Sequence, residues 1–111
     1  MATRLNIMAK IAIALGVLSL PSSSWGVEPT VHVIVVDKLG FGPMPGRLHV
    51  NDVVEWDNSD IFQHTATAAD GSFDIDLPVG AKGRTTVKQA SVVDYFCRLH
   101  PGMKGRLEIA P

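Results

Sequence analysis

The chain holds one cysteine in 111 residues, so no disulfide can form within it. It has no Cys-x-x-Cys-His, which leaves covalent haem without an attachment point. It has no His-x-His pair of the kind that builds the extra copper centres of an oxidase or a nitrite reductase. Charge of one sign is lacking too: ten Lys and Arg stand against eleven Asp and Glu. No basic patch is present to follow a phosphate backbone, so there is no case for nucleic acid as a partner. Long hydrophobic runs are absent. The apolar run from Ile11 to Leu20 covers ten residues, and a spanning helix needs roughly 20. No segment carries a convincing helical hydrophobic period.

The ends of that run explain it. Residues 1 to 10 contain Arg4 and Lys10 and no acid, and Leu20 is followed by Pro21 and three serines. Ser24-Trp25-Gly26 offers small residues where a signal peptidase reads. Residues 1–26 therefore read as a secretory signal peptide cleaved after Gly26, and not as a stable membrane anchor. The only cysteine lies far from that point, which excludes a lipid-modified cysteine at the mature N-terminus. The expected product is one exported domain, residues 27–111, in the periplasm or the outside medium, with a monomer as the default. Its 85 residues carry eight Lys and Arg against eleven Asp and Glu, about −3. A domain of this size is near the lower limit for a self-sufficient core. Exported domains this small often use disulfides as staples; here a bound metal would supply the stabilisation instead.

The mature chain reads as β throughout. The expected strands are Val31–Val36, Leu48–Val50, Val53–Trp56, His64–Ala68, Phe73–Leu77, Thr85–Lys88, Val92–Cys97 and Arg106–Ile109. About eight short strands punctuated by Gly and Pro predict an all-β, antiparallel sandwich or barrel.

The chemistry is concentrated in Tyr95-Phe96-Cys97-Arg98-Leu99-His100-Pro101-Gly102-Met103-Lys104-Gly105. Cys97, His100 and Met103 recur at intervals of three, and His64 stands upstream in Gln63-His64-Thr65. A lone thiol in an oxidising compartment calls for an explanation. A buried inert cysteine is one; the neighbouring His and Met make metal ligation the better one. Two imidazoles, a thiolate and a weak axial thioether are the ligand set of a blue-copper electron-transfer site. Cys97 would be fixed by the end of a strand, His64 would come from a different strand or loop, and the Thr65 N–H is a candidate donor to the Cys97 sulfur.

These stretches resemble the small cupredoxins of the plastocyanin and amicyanin group. The likeness is carried by Phe41-Gly42-Pro43, Leu48 through Trp56, Gln63-His64-Thr65 and Val93 through Gly105, in the family's order and over nearly all of residues 31–110. Two residues from Cys97 to His100 and two from His100 to Met103 are amicyanin spacing. The resemblance implies a Greek-key β-sandwich with one copper ion near one end, held by His64, Cys97, His100 and Met103. It implies a one-electron carrier between redox proteins, with a c-type cytochrome or a periplasmic dehydrogenase as the partners by analogy. It also implies that the His100 edge protrudes through an apolar patch, for which Leu99, Pro101 and Met44 are candidates, though loop closure or core filling would also explain them. Thr65 stands where Asn is usual, and Arg98-Leu99 where Thr-Pro is frequent, so that Arg98 adds a charge close to the site.

The alternative function is copper trafficking or buffering by the same residues. No second metal cluster or acid–base constellation offers an enzyme. His32 and His49 fit surface or face-alternating strand positions better than ligand roles. Asp70, Asp74 and Asp76 do not have the spacing of a calcium loop and read as a solvated strand face. Asp57 and Asp60 read as turn residues.

Overall fold

The computed structural model describes Gly16 and residues 28–111; the expected signal peptide, Gly16 apart, lies outside the described residues. Val31–Asp37 forms β1, where β-branched residues suit a pleated surface. Alternation along it buries His32, Ile34 and Val36 and leaves Val31, Val33 and Val35 outside. The other strands are β2 (Gly40–Phe41), β3 (Leu48–His49), β4 (Val53–Asn58), β5 (His64–Ala68), β6 (Asp74–Leu77), β7 (Lys82–Thr86), β8 (Ser91–Phe96) and β9 (Lys104–Ala110). Among the described residues there is no helix, and so none long and apolar enough to cross a membrane.

The strands form two sheets, ordered β2-β1-β4-β7 and β3-β9-β8-β5-β6. The expected all-β sandwich is there, with two differences. It has nine strands among the described residues, and its sheets are mixed rather than purely antiparallel. β1 runs parallel to β4, from Val31 opposite Val53 to Val36 opposite Asn58, and β3 runs parallel to β9. Parallel neighbours need a long crossover. Residues 38–52 provide it, folding back as β2 on β1 and then crossing as β3 to the other sheet.

β7 begins three residues before the expected Thr85, because Lys82-Gly83-Arg84 is strand and not turn. Gly83 is required there by space: a Cβ would run into the Ile75 and Leu77 side chains of the facing sheet.

Trp56, Ile34, Val36, Leu48, Val54, Leu77 and Leu107 are fully buried between the sheets. Trp56 and Tyr95 meet edge-on at 5.5 Å, and Phe41 and Phe73 pack against Tyr95 at 4.7 and 6.1 Å. His32 takes the face-alternating position expected of it, on the inward face of β1, where it is buried with Nε2 2.9 Å from Asp52 Oδ2 and Nδ1 2.9 Å from the Pro45 carbonyl. It ties β1 to the turn before β4. His49, on the outward side of β3, is exposed as its strand alternation requires.

One consequence of the pairing positions the site. β5 and β8 are antiparallel, with Thr67 opposite Phe96. The first residue of β5, His64, and the residue just past β8, Cys97, therefore lie at the same end of the sandwich.

Candidate metal centre

Cys97 is fully buried, and its Sγ lies 3.8 Å from His64 Nδ1 and 3.9 Å from His100 Nδ1. The three candidate ligand atoms all lie within 4.8 Å of one another, and no other group of three or more His, Cys, Asp or Glu does so among the described residues. His64 is fully buried at the start of β5; His100 is half-buried on the β8–β9 loop. The loop is closed by the Met103 N–H donating to the His100 carbonyl at 2.9 Å and the Cys97 N–H donating to the Met103 carbonyl at 3.2 Å. Met103 itself is buried and belongs to the core cluster.

For His64, the ring nitrogen that faces the sulfur is left free by what holds the ring. His64 Nε2 lies 2.8 Å from Asp60 Oδ2, buried with it. Asp60 is held below the usual carboxylate range, first by the Leu39 N–H and then by His64. An ionised carboxylate only accepts, so His64 Nε2 keeps its proton and donates it to Asp60, and Nδ1 is the atom available to a cation. A second partner that fixes the tautomer in this way is a regular feature of metal-binding histidines.

Asp60 is in turn placed by Asn58. The Asn58 amide donates to the Phe62 and Leu77 carbonyls at 2.9 and 2.8 Å, and its Oδ1 accepts the Asp60 N–H at 3.0 Å. Asp60 is therefore not the simple turn residue its surroundings suggested. An acid four residues before a candidate His ligand was the available signal.

Burial alone pushes a thiol up. Here hydrogen bonds to the sulfur, first among them that of the Thr65 N–H at 3.3 Å from Cys97 Sγ, outweigh it and bring Cys97 down to about 6. The thiolate form, which is the one that binds metal, is thus favoured at neutral pH. The Thr65 donor expected from the sequence is in place. The Thr65 hydroxyl accepts the Arg98 N–H at 2.9 Å, so threonine bridges the two segments although it replaces the more usual asparagine. Arg98 does not act as an added free charge near the site: Nε lies 3.0 Å from Asp74 Oδ1 and Nη2 2.8 Å from Asp76 Oδ1.

Around His100 the surface is apolar. Phe62 packs near it with the rings tilted, centroids 6.0 Å apart, and is exposed, as are the loop residues Leu99 and Pro101. Phe62 was not among the residues the sequence pointed to. Met44 is half-buried and packs against the core instead.

A soft thiolate between two imidazoles suits copper, and zinc less distinctively. No protein-family model matches the sequence, and no curated protein matches it. Solved structures do match, by fold. A purple cupredoxin from Nitrosopumilus maritimus is 19% identical with a TM-score of 0.62, over 70% of this chain and 98% of its own. An amicyanin from Paracoccus versutus is 20% identical with a TM-score of 0.60, over 77% of this chain and 84% of its own. A copper-containing nitrite reductase from Thermus scotoductus is 25% identical with a TM-score of 0.65, but the match covers 78% of this chain and only 24% of the reductase. The chain has the cupredoxin fold.

Proposed function

We propose that this cupredoxin-fold chain is an exported one-electron carrier with one type 1 copper ion. His64 Nδ1, Cys97 Sγ and His100 Nδ1 would hold the ion, with Met103 as a weaker thioether ligand. The observation that carries this reading is the approach of one thiol sulfur to two imidazole nitrogens at 3.8 and 3.9 Å with the protein already folded around them. Copper bound there would accept and release a single electron between its cupric and cuprous states. The chain's own part is to hold the ligands still while that happens. Cys97 is anchored by β8, His64 by β5 and Asp60, and the loop by its own backbone bonds. A rigid ligand frame of this kind keeps rearrangement between oxidation states small.

His100, half-buried beside exposed Phe62 and Leu99, is the way in for the electron, and a redox protein with an apolar contact patch is the matching partner. A c-type cytochrome or a periplasmic dehydrogenase fits that description. The leader read in residues 1–26 would place the protein outside the cytoplasm. Copper trafficking by the same residues is the competing function. Voltammetry of the copper-loaded protein in the presence of a cuprous chelator separates them. A reversible one-electron couple with copper retained over many cycles supports the carrier. Loss of copper to the chelator on the first reduction overturns it in favour of trafficking.

A further inference from the structure

We propose that Thr67, Asp74 and Arg98 form a metal-independent clamp that sets the spacing of the two segments bearing His64 and Cys97. Its bearing on electron transfer rests on the copper reading above; its existence as a clamp does not. Thr65 directly follows His64, and Arg98 directly follows Cys97. The hydrogen bonds between these residues form a closed ring with one permitted direction. Asp74 Oδ1 accepts the Thr67 hydroxyl at 2.8 Å, and a carboxylate can only accept. The Thr67 proton is therefore committed, and Thr67 Oγ1, 2.9 Å from Thr65 Oγ1, must accept the Thr65 hydroxyl. Thr65 Oγ1 in turn accepts the Arg98 backbone N–H at 2.9 Å. The Arg98 side chain closes the ring, with Nε donating to the same Asp74 Oδ1 at 3.0 Å while Nη2 reaches Asp76 at 2.8 Å.

The register makes this possible. Thr65 lies opposite Asp76 and Thr67 opposite Asp74, so alternate residues of β5 and β6 present both hydroxyls and both acids along one face. The Thr67 hydroxyl, and after it Arg98, hold the Asp74 carboxyl below its ordinary range, consistent with an acceptor at the end of the chain.

The ion pairs alone carry little, since Arg98, Asp74 and Asp76 are exposed and such pairs are screened by water. The inner half of the ring is the part shielded from water. Thr65 is 1% exposed, and while its hydroxyl holds Arg98 its N–H donates to the Cys97 sulfur at 3.3 Å. Linked hydrogen bonds that polarise one another are stiffer than separate ones. Tightening or slackening the ring therefore moves Cys97 Sγ relative to His64, and the three residues act by positioning, without touching the ion.

Thr67→Val keeps the shape and removes the hydroxyl; Thr67→Ser restores it. In the metal-free protein, Thr67→Val is expected to speed amide exchange at Arg98 about tenfold, with Thr67→Ser returning it to the wild-type rate. In the copper-loaded protein, Thr67→Val and Arg98→Gln are expected to shift the reduction potential and the thiolate-to-copper band, and Thr67→Ser to restore both. Wild-type exchange together with an unmoved band and potential in Thr67→Val and Arg98→Gln overturns the clamp while leaving the copper centre standing. A wild-type protein that takes up no copper, yet whose Thr67→Val variant exchanges faster, supports the clamp and removes the copper reading instead.

Discussion

Asp60 Oδ2 sits 2.8 Å from His64 Nε2, with both side chains almost wholly shielded from water. The acid is fixed by the Leu39 and Ile61 N–H groups as well, so it has little freedom to turn away. Partners of this kind commonly change metal affinity by about 10- to 100-fold. Asp60→Ala is expected to weaken copper binding by that order, read by competition with a chelator, while the strand content by circular dichroism is retained. Wild-type affinity in this variant would show that His64 does not need its carboxylate.

The depressed Cys97 thiol has a consequence for the metal-free protein. Its folded value is about 6, against 9.0 for an ordinary cysteine. Between those values the unfolded chain holds more protons than the folded one, so stability rises with pH across that window, by at most about 1.4 kcal/mol per pH unit. The gain is complete above the unfolded value and is lost as pH falls through the folded one. Urea midpoints of metal-free protein measured from pH 6 to 9 are expected to climb, and to flatten in Cys97→Ser. Equal slopes in the two proteins would refute the thiolate assignment.

Gly105 lies opposite Tyr95 in the β8–β9 ladder, and a Cβ on it would enter the Tyr95 ring. Tyr95 has no room to yield, being packed against Phe41, Trp56 and Phe73. Gly105→Ala is expected to cost about 1–3 kcal/mol, seen as a fall of several degrees in melting temperature. An unchanged melting temperature would mean that Tyr95 has another rotamer available.

Lys38 and Leu39 both have positive φ, 52° and 55°, in the two-residue turn joining Asp37 to Gly40. Turns of this twist favour Asn-Gly, and each non-glycine residue held there carries a cost of order 1 kcal/mol. The double change Lys38→Asn and Leu39→Gly keeps the backbone N–H that reaches Asp60 and is expected to raise the melting temperature by several degrees. A drop instead would assign the Leu39 side chain a packing role.

That same turn shows where sequence reading stopped. Val31–Val36 announces itself by β-branched alternation, but Lys38-Leu39 has no turn chemistry, so β2 goes unseen. The expected strand starts only at Thr85 because a strand glycine such as Gly83 is recognisable only from the Ile75 and Leu77 side chains across the sandwich. The Cys97–His100–Met103 loop was legible because its residues are near in sequence and unusual in kind. Asp60 was marked only by standing four residues before His64, and Phe62 not at all, since an exposed aromatic acquires meaning only once the fold brings His64 and His100 within 4.9 Å of each other, ring to ring. The parallel pairing of β1 with β4 depends on where the chain between them crosses, which no local pattern records.

The electron-carrier function stands or falls with Cys97 and two imidazoles gripping one copper ion. The decisive experiment is a titration of the metal-free protein with cupric ion, followed by visible absorption and electron spin resonance. An intense thiolate-to-copper band is expected that saturates at one ion per chain and is absent from Cys97→Ser. A wild-type protein that stays colourless, or a Cys97→Ser variant with the same band, contradicts it.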